Sequence, residues 1–267
     1  MRVLVLGSGA REHTIVWKFS QSNRIAGLYA APGNAGTAGL CDNVPDLDPT
    51  DSDAVIAFCS KHSINLVFVG PEAPLAAGIV DALTEAQIPV LGPNRRAAEL
   101  ESSKTFAKQF MQRHGVPIAE AHEFDEKEPF ERHVSKSSGK LVVKKSGLAG
   151  GKGVLESDDP GRLIDFGSDI LRNDSLLVEE FLTGWEVSVF ALLDGDRYRL
   201  LPACADFKKA EEADRGENTG GMGAICPVPP VTEELTATID ERIVRPTLRG
   251  MRDEGLMYRG VLYFGLM

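Results

Sequence analysis

The first hundred residues alternate short apolar runs with amphipathic stretches of helical spacing. The apolar runs read RVLVL, GLYAAPG, INLVFVGPE and PVLGP, and the stretches between them include DSDAVIAFCSKH and AAGIVDALTEAQ. Strands that alternate with helices predict an open parallel sheet covered by helices on both faces. The pattern ends near residue 100, so the sequence predicts an α/β domain at residues 1–101.

The residues after this point follow a different pattern. The stretch ESSKTFAKQFMQRHG predicts a helix that begins after Ser102 or Ser103 and ends at Gly115. Beyond it the sequence predicts, in order, the strand LVVKK, a glycine-rich stretch, a helix around 159–171, antiparallel hairpins at Thr183-Gly184 and Asp194-Gly195, a charged loop at 207–218, a helix around 234–253, and the strand GVLYFGLM. Residues 102–267 are therefore predicted to be mixed α+β.

The glycine-rich stretch SGLAGGKGV directly follows LVVKK. It is not a P-loop, because Ser146 and Gly153 stand where that motif needs a glycine and a serine or threonine. A glycine-rich loop between two strands can instead fold over phosphates, with its amides and Lys152 as donors and Lys144 on the strand beneath. A hairpin loop without a ligand would leave four glycines and two lysines as coincidence, so the sequence favours a phosphate-binding flap.

Lys104 lies in the first turn of the helix after Ser103. A cation there opposes the helix dipole, which favours either an anion nearby or a solvated surface lysine. Position alone does not separate these two interpretations.

The N-terminal GSGARE has two of the three glycines of the dinucleotide-binding fingerprint, with Glu12 at the third position. The second strand ends in YAAPGNAG instead of the acidic residue that would bind the ribose, which argues against NAD. Two interpretations remain. The turn either holds a small phosphate at a helix N-terminus with the help of Arg11, or is a tight turn without a ligand.

Three carboxylates lie in VEEFLTGWEV. Strand alternation puts Glu179 and Phe181 on one face and Glu180 on the other. These residues are either solvated, or they belong to a nucleotide cleft in which backbone near Glu180 and Leu182 pairs with adenine and Glu186 accepts from the ribose hydroxyls. Spacing leaves both interpretations open.

Composition excludes several classes of function. The net charge of −10 indicates no general polyanion-binding surface, so no nucleic acid partner is expected. The four cysteines are scattered without a C-x-x-C pair, which argues against zinc and a disulfide framework and favours a reduced, cytoplasmic setting. The N-terminal apolar run VLVL is too short for a signal peptide or a membrane span.

Eight motifs, in order along the chain, resemble those of one family. They are GSGAREH, APGNAGTA, GPEAPLAAGIVDAL, LESSKTFAKQFMQRHGVP, VVKKSGLAGGKGV, VEEFLTGWEVS, NTGGMGA and YRGVLYFGLM. The chain resembles the phosphoribosylamine–glycine ligase (glycinamide ribonucleotide synthetase) family of the ATP-grasp superfamily. The resemblance implies a Rossmann-like domain at 1–101 that holds substrate phosphate, and an ATP-grasp region at 102–267 with a lid subdomain at about 116–183.

The resemblance also implies a reaction. ATP phosphorylates the carboxylate of glycine, and the amine of 5-phosphoribosylamine attacks the glycyl phosphate in a step of purine synthesis. The implied cofactors are ATP and Mg²⁺, with Mn²⁺ as a substitute for Mg²⁺. The implied partners are these small molecules, and either a second copy of the chain or a partner that supplies the rest of the enzyme.

Site residues follow from matching positions in the motifs. The residues implied in catalysis are Lys144, Lys152 and Asp206. Those implied in ATP binding are Lys104, Lys144, Gly150, Gly151, Lys152, Glu179, Glu180, Phe181, Leu182 and Glu186. Those implied in phosphoribosylamine binding are Gly9, Arg11, Glu12, Glu72, Lys208 and the turn Asn218, Thr219, Gly220 and Gly221.

Three departures from the family pattern qualify this assignment. Ala205 and Phe207 replace a glutamine and a histidine beside the expected substrate site, and Lys145-Ser146 replaces Ala-Asp before the flap. Family members continue beyond the position of Met267 with the residues that bind Mg²⁺ and glycine. The sequence therefore predicts little or no ligase activity for this chain by itself. Two alternatives remain: an inactive nucleotide- or phosphosugar-binding paralogue, and an ATP-grasp ligase for another amine.

Overall fold

A computed structural model of the protein describes residues 1–147, 153–195, 197–212 and 215–267, with only the backbone described for Glu217 and Asn218. Its residue contacts divide it into two units. Unit 1 comprises Met1–Ala98, Leu193–Arg197 and Gly255–Val261. Unit 2 comprises Glu99–Leu192, Tyr198–Glu254 and Leu262–Met267.

The α-helices of the described residues are α1 (Ala10–Ser20), α2 (Ser52–His62), α3 (Glu72–Ala77), α4 (Ile79–Glu85), α5 (Arg95–Ser102), α6 (Lys104–Arg113), α7 (Lys127–Lys136), α8 (Pro160–Ile170), α9 (Glu233–Ile239) and α10 (Arg245–Asp253). The strands are β1 (Arg2–Gly7), β2 (Gly27–Pro32), β3 (Asp42–Asn43), β4 (Leu66–Val69), β5 (Val90–Pro93), β6 (Ala121–Phe124), β7 (Leu141–Lys145), β8 (Val154–Ser157), β9 (Leu176–Glu180), β10 (Val187–Asp194), β11 (Arg197–Leu200), β12 (Ala205–Glu211), β13 (Arg215–Ile225) and β14 (Tyr258–Leu266). In the described part of the chain, no helix combines the length and the apolar character that crossing a membrane requires.

Unit 1 is built on the parallel sheet β5-β4-β1-β2-β3. Its central strand β1 is apolar throughout because alternate residues enter two different cores. Leu4 and Leu6 pack with helices α2 and α4, whereas Val3 and Val5 pack with α1 on the other face. The predicted open parallel sheet with helices on both faces is confirmed.

Unit 2 contains the antiparallel sheet β6-β9-β7-β8. Helices α7 and α8 bury Phe130, Val134 and Leu163 against Val143 and Leu176 of this sheet. Helix α8 begins after Asp159, whose carboxylate accepts from the amides of residues 161 and 162, as expected for an N-cap. The glycine-rich stretch joins β7 to β8, which are antiparallel neighbours, so its predicted place between two strands is confirmed.

The predicted hairpin at Thr183-Gly184 is wrong. Strand β9 pairs with β6 on one edge and β7 on the other, so neither of its edges is left for β10. Strand β10 instead lies between β11 and β14 in another sheet. The second predicted pairing is correct, because β10 and β11 are adjacent strands.

The predicted loop at 207–218 is also wrong. Among its described residues, 207–211 lie on β12 and 215–218 on β13, and these two antiparallel strands pair Lys209 with Asn218. The segment Asn218–Gly221, predicted as a turn, therefore belongs to strand β13. High charge does not prevent a strand here, because the two strands hydrogen-bond through their backbones while Lys208 is ion-paired with Glu186 and Asp206.

The C-terminal part of unit 2 contains the predicted helix around 234–253. It consists of α9 and α10 with a π-helical segment, Asp240–Val244, between them. Pro246 lies at the start of α10 and has no amide proton, which explains why regular α-helical bonding is interrupted just before it. The predicted final strand is also present, as β14.

Candidate functional site

Three lysines lie around one buried carboxylate in unit 2. Lys144 is on β7 and Glu179 on the neighbouring strand β9, and their Nζ and Oε2 atoms are 2.7 Å apart. Lys108 of α6 approaches the other oxygen of Glu179 at 3.1 Å. The Glu179 side chain is only 6% exposed, so both ammonium groups are paired with a buried carboxylate.

Lys104 belongs to the same cluster. Burial lowers the pKa of Lys104, and the charge of Lys144 lowers it further. Nearby carboxylates raise this pKa without cancelling the decrease; they belong to Glu101, Asp174 and Glu179. A lysine that is costly to keep charged is a good ligand for an anion, because a bound anion restores the favourable environment for the ammonium group.

The N-terminus of α6 is tied to the start of the glycine-rich loop. The amide of Lys104 donates to the carbonyl of Ser146 at 3.0 Å, and its Nζ donates to the carbonyl of Gly147 at 3.3 Å. Ser103 caps the helix by accepting from the amide of Phe106, which settles the choice between the two predicted cap residues. The other predicted residues of the loop, Gly150, Gly151 and Lys152, lie outside the described residues.

The predicted adenine segment begins inside the sheet and ends outside it. Glu179 is committed to the lysine cluster, whereas Glu180 is exposed and accepts from the amide of Glu120 at 2.8 Å. The amide of Glu180 donates to the carbonyl of Glu120 at 3.1 Å, so this donor is already in use. Phe181 lies under the Nζ of Lys140, 3.8 Å from its ring centroid, and Leu182 is exposed.

A second charged cluster of unit 2 contains three of the predicted residues. The Nζ of Lys208 is 2.7 Å from Glu186 Oε2 and 2.8 Å from Asp206 Oδ2. Burial lowers the pKa of Lys208, but hydrogen bonds to the two carboxylates outweigh it and the pKa is raised. Burial likewise raises the pKa of Asp206, but the hydrogen bonds from Lys208 and Ser188 outweigh it and the pKa is lowered.

The predicted residues of strand β13 lie opposite this cluster on the hairpin. Thr219 donates its hydroxyl to the carbonyl of Lys208 at 2.8 Å and accepts from the amide of Gly221 at 3.1 Å. Gly220 lies between them, and the side chain of Asn218 is outside the description. Thr219 therefore fixes the backbone beside Lys208.

Unit 1 brings together the four of its residues that the family resemblance implies in substrate binding, Gly9, Arg11, Glu12 and Glu72. The carboxylate of Glu12, which is buried, accepts from the Gly9 amide and from Arg11 Nε, both at 2.8 Å. Arg11 also donates to Glu72 at 3.0 Å. Burial lowers the pKa of Arg11, but hydrogen bonds to Glu12 and Glu72 outweigh it and raise the pKa.

Glu12 explains why the dinucleotide fingerprint fails here. Its side chain packs so closely on Gly7 and Gly70 that a Cβ at either position would overlap it. The carboxylate also accepts from the Gly9 amide at the N-terminus of α1. Arg11 and Glu72, which stay half exposed, are the groups of this set that face solvent.

Two features of these clusters were missed from sequence. Lys108 follows Lys104 by one helical turn, so their shared helix face was the available signal. In unit 1, Asn34 of the APGNAG motif accepts from the amides of Gly36 and Thr37 and donates to the carbonyl of Ser8. Asn34 therefore connects its own loop to the glycine turn.

Among the residues that the structure describes, no group of three or more histidine, cysteine, aspartate or glutamate side chains lies close enough to hold a metal ion. The carboxylates of Glu12, Glu72, Glu179, Glu186 and Asp206 are instead paired with lysine or arginine side chains.

Comparisons with known proteins agree for both parts of the chain. Residues 1–101 match the family described as Phosphoribosylglycinamide synthetase, N domain. Residues 102–267 match Phosphoribosylglycinamide synthetase, ATP-grasp (A) domain.

Individual relatives cover the whole chain but are longer than it. The phosphoribosylamine–glycine ligase of Chlorobaculum tepidum is 44% identical over 100% of this chain and 65% of its own length. The trifunctional purine biosynthetic protein adenosine-3 of Gallus gallus is 45% identical over 100% of this chain and 27% of its own length. The crystal structure of phosphoribosylamine–glycine ligase from Thermotoga maritima has a TM-score of 0.84 and 33% identity, over 100% of this chain and 65% of that one. The chain thus spans slightly less than two thirds of the single-function relatives it matches.

Proposed function

The chain belongs to the phosphoribosylglycinamide synthetase family, and from this premise we propose that it takes part in the ATP-dependent ligation of glycine to 5-phosphoribosylamine. The products are glycinamide ribonucleotide, ADP and phosphate. This is a step of purine synthesis, and the proposed setting is the cytoplasm.

The chemistry requires an activated acid. A carboxylate does not react with an amine because its leaving group would be oxide. Transfer of the γ-phosphoryl group of ATP to glycine gives an acyl phosphate with a good leaving group, provided that water is kept away from it. This transfer brings two anions together, so the protein must supply positive charge.

The lysine cluster around Glu179 is the observation that carries the proposal. Lys104, Lys108 and Lys144 place three ammonium groups at the base of the β7–β8 loop, against one buried carboxylate. Lys104 and Lys144 are near enough for their charges to interact. We assign Lys104 and Lys144 to the phosphates of ATP, together with Gly150, Gly151 and Lys152 of the loop.

The remaining assignments place the nucleoside and the second substrate. We assign adenine to the segment Glu179–Leu182 and the ribose of ATP to Glu186. The groups assigned to phosphoribosylamine are Gly9, Arg11, Glu12 and Glu72 in unit 1, and Lys208, Asn218, Thr219, Gly220 and Gly221 in unit 2. Asp206 is assigned a catalytic role through its ion pair with Lys208.

No residue of this chain is assigned to Mg²⁺. The described residues contain no group of three or more histidine, cysteine, aspartate or glutamate side chains that could hold a metal ion, and Mg²⁺ is usually bound through one or two carboxylates together with substrate phosphates. No step is therefore assigned to the metal. A second copy of the chain, or a partner that supplies the remaining third of the relatives' length, also stays a proposal.

Calorimetry of an ATP analogue tests the nucleotide site. The wild-type protein is expected to bind the analogue, and Lys144→Ala is expected to bind at least about tenfold more weakly, a loss of about 1.4 kcal/mol. Lys18→Ala, which removes an exposed lysine of α1, is the matched control and should bind like wild type. Absence of binding to wild type, or equal binding by both variants, would contradict the proposal.

A phosphate-release assay tests the substrates. ATP, Mg²⁺ and glycine are supplied with 5-phosphoribosylamine or with another amine. Release that requires glycine and phosphoribosylamine supports the ligase assignment. Release with a different amine identifies another ATP-grasp ligase. Nucleotide binding with no release above the Lys144→Ala background would fit two interpretations: an inactive nucleotide-binding paralogue, or a chain that needs the part of its relatives that it does not match.

A further inference from the structure

Two of the four cysteines face each other at the base of the β12–β13 hairpin. Ala205 and Ile225 are the last pair of the two strands, so Cys204 and Cys226 are the residues that directly adjoin this pair, one before β12 and one after β13. The two Sγ atoms lie 3.6 and 3.8 Å from the same acceptor, the carbonyl oxygen of Pro202. Residues directly opposite on antiparallel strands have Cβ atoms about 4.5–5.5 Å apart, close to the separation that a disulfide needs.

We propose that Cys204 and Cys226 are a site of reversible thiol oxidation, at which a low-molecular-weight disulfide such as oxidised glutathione converts them into a cross-strand disulfide. The proposal rests on the positions of these two thiols and does not depend on the proposed ligase activity.

The chemistry proceeds by two exchanges. Cys226 is the more exposed thiol, and its thiolate attacks one sulfur of the small disulfide, so that one small thiolate leaves and a mixed disulfide forms. Cys204 then loses its proton to solvent and attacks the sulfur of Cys226, which releases the second small thiolate. Two protein thiols lose two electrons and two protons, and the oxidant becomes two small thiols.

The other two cysteines of the chain, Cys41 and Cys59, are poorly suited to the first exchange. Burial raises the pKa of Cys59 to about 11, and burial together with the charge of Asp42 raises the pKa of Cys41 to about 11. Both therefore form little thiolate near neutral pH. Burial and a hydrogen bond with Cys226 also raise the pKa of Cys204, so the closing step is expected to be faster at higher pH.

The disulfide would form beside the Lys208 cluster. Cys204 exchanges two backbone hydrogen bonds with Ser188, at 2.7 and 2.9 Å, and the Ser188 hydroxyl donates to Asp206 at 3.3 Å. A covalent link at Cys204 would hold the two strand ends together next to Ser188, where this network begins. Slower amide hydrogen exchange in β12 and β13 is the expected physical consequence.

The test uses the native 267-residue protein with oxidised glutathione. After the reaction, the protein is unfolded, its free thiols are counted, and its peptides are mapped by mass spectrometry. We expect the count to fall from four to two, with Cys204 linked to Cys226, and dithiothreitol to restore all four. The double variant Cys41→Ser/Cys59→Ser should still lose two thiols.

Single variants follow the two exchanges separately. Cys204→Ser should stop at a mixed disulfide on Cys226, whereas Cys226→Ser should lose the rapid reaction. Circular dichroism confirms that each variant is folded. Four unreacted thiols in wild type, a stable mixed disulfide on wild-type Cys226, a different pairing, or links only between molecules would each overturn the proposal.

Discussion

Lys144 and Glu179 form an ion pair with a 2.7 Å separation across neighbouring strands, and the second oxygen of the same carboxylate contacts Lys108 at 3.1 Å. One buried anion thus holds two cations that come from a strand and a helix. Each lysine loses hydration in the cluster, and Glu179 compensates for that loss. The arrangement keeps positive charge beside the glycine-rich loop. Desolvation of the lysines costs stability, and the carboxylate of Glu179 offsets that cost.

Glu179→Gln is expected to destabilise the protein. The amide keeps the shape of the side chain but leaves Lys108 and Lys144 without their common countercharge, which should lower the free energy of unfolding by about 2–4 kcal/mol. Urea denaturation measures the change. Glu180→Gln is the matched control, because Glu180 is exposed and an amide oxygen can still accept from the Glu120 amide. Equal stability of the two variants would show that Glu179 does not support the cluster.

Lys104→Met is expected to separate binding from stability. Burial lowers the pKa of Lys104, so the folded protein pays for keeping this ammonium charged, and a neutral side chain of similar length removes that cost. Unfolding by urea should be unchanged or require more denaturant, while calorimetry should show about tenfold weaker binding of an ATP analogue. Lys18→Met serves as the control for both measurements. A variant that is less stable and binds normally would contradict the assignment of Lys104 to phosphate.

The sequence predicted those elements whose burial or boundaries are marked by a local pattern of residues. Strands buried on both faces are apolar throughout, as β1 is, and the Ser103 cap marks the start of α6 locally. The hairpin at Thr183-Gly184 was predicted wrongly because a turn-forming dipeptide says nothing about which edges of β9 are already paired. That information lies in β6 and β7, far away in sequence.

The same limit applies to the candidate site. Sequence identified Lys104, Lys144 and Glu179 separately, but Glu179 joins Lys108 across 71 residues of sequence, and no spacing rule predicts such a contact. In unit 1, the Glu12 side chain is buried against Gly7, the last residue of β1, and Gly70, the residue after β4. Residue types predicted the chemistry, whereas only the tertiary structure determined which charges neutralise each other.

Glu254 is expected to make unfolding depend on acid pH. It contacts Arg113 Nη2 and His114 Nε2, both at 2.8 Å. Burial raises its pKa, but the hydrogen bonds from His114 and Arg113 outweigh it and lower the pKa from its ordinary value of 4.5. A carboxylate whose pKa is lowered in the folded state stabilises the fold at pH values above its ordinary pKa. This contribution is lost as the pH falls through the lowered pKa.

Glu254→Gln gives the corresponding measurement. At pH 7 the variant should be less stable by about 1–2 kcal/mol, and the difference from wild type should shrink as pH falls below 4.5. Denaturant unfolding across this pH range records both curves. Glu241→Gln, at an exposed position of the π-helical segment Asp240–Val244, should follow the wild-type curve. A difference that stays constant down to acid pH would mean that the charge of Glu254 is not involved.

Ser168→Ala is expected to stabilise the protein. The Ser168 hydroxyl is buried and has no hydrogen-bond partner among the described residues, and alanine also favours the α8 helix. We expect the free energy of unfolding to rise by about 1 kcal/mol in urea denaturation. The neighbouring Gly167→Ala should do the opposite and lower it by about 2 kcal/mol or more, because a Cβ there would overlap the ring of Phe130. Both changes produce alanine in the same helix, so helix propensity alone predicts a gain for each. Opposite signs would show that packing against Phe130 decides the outcome, whereas two gains would mean that the core accommodates the added methyl group.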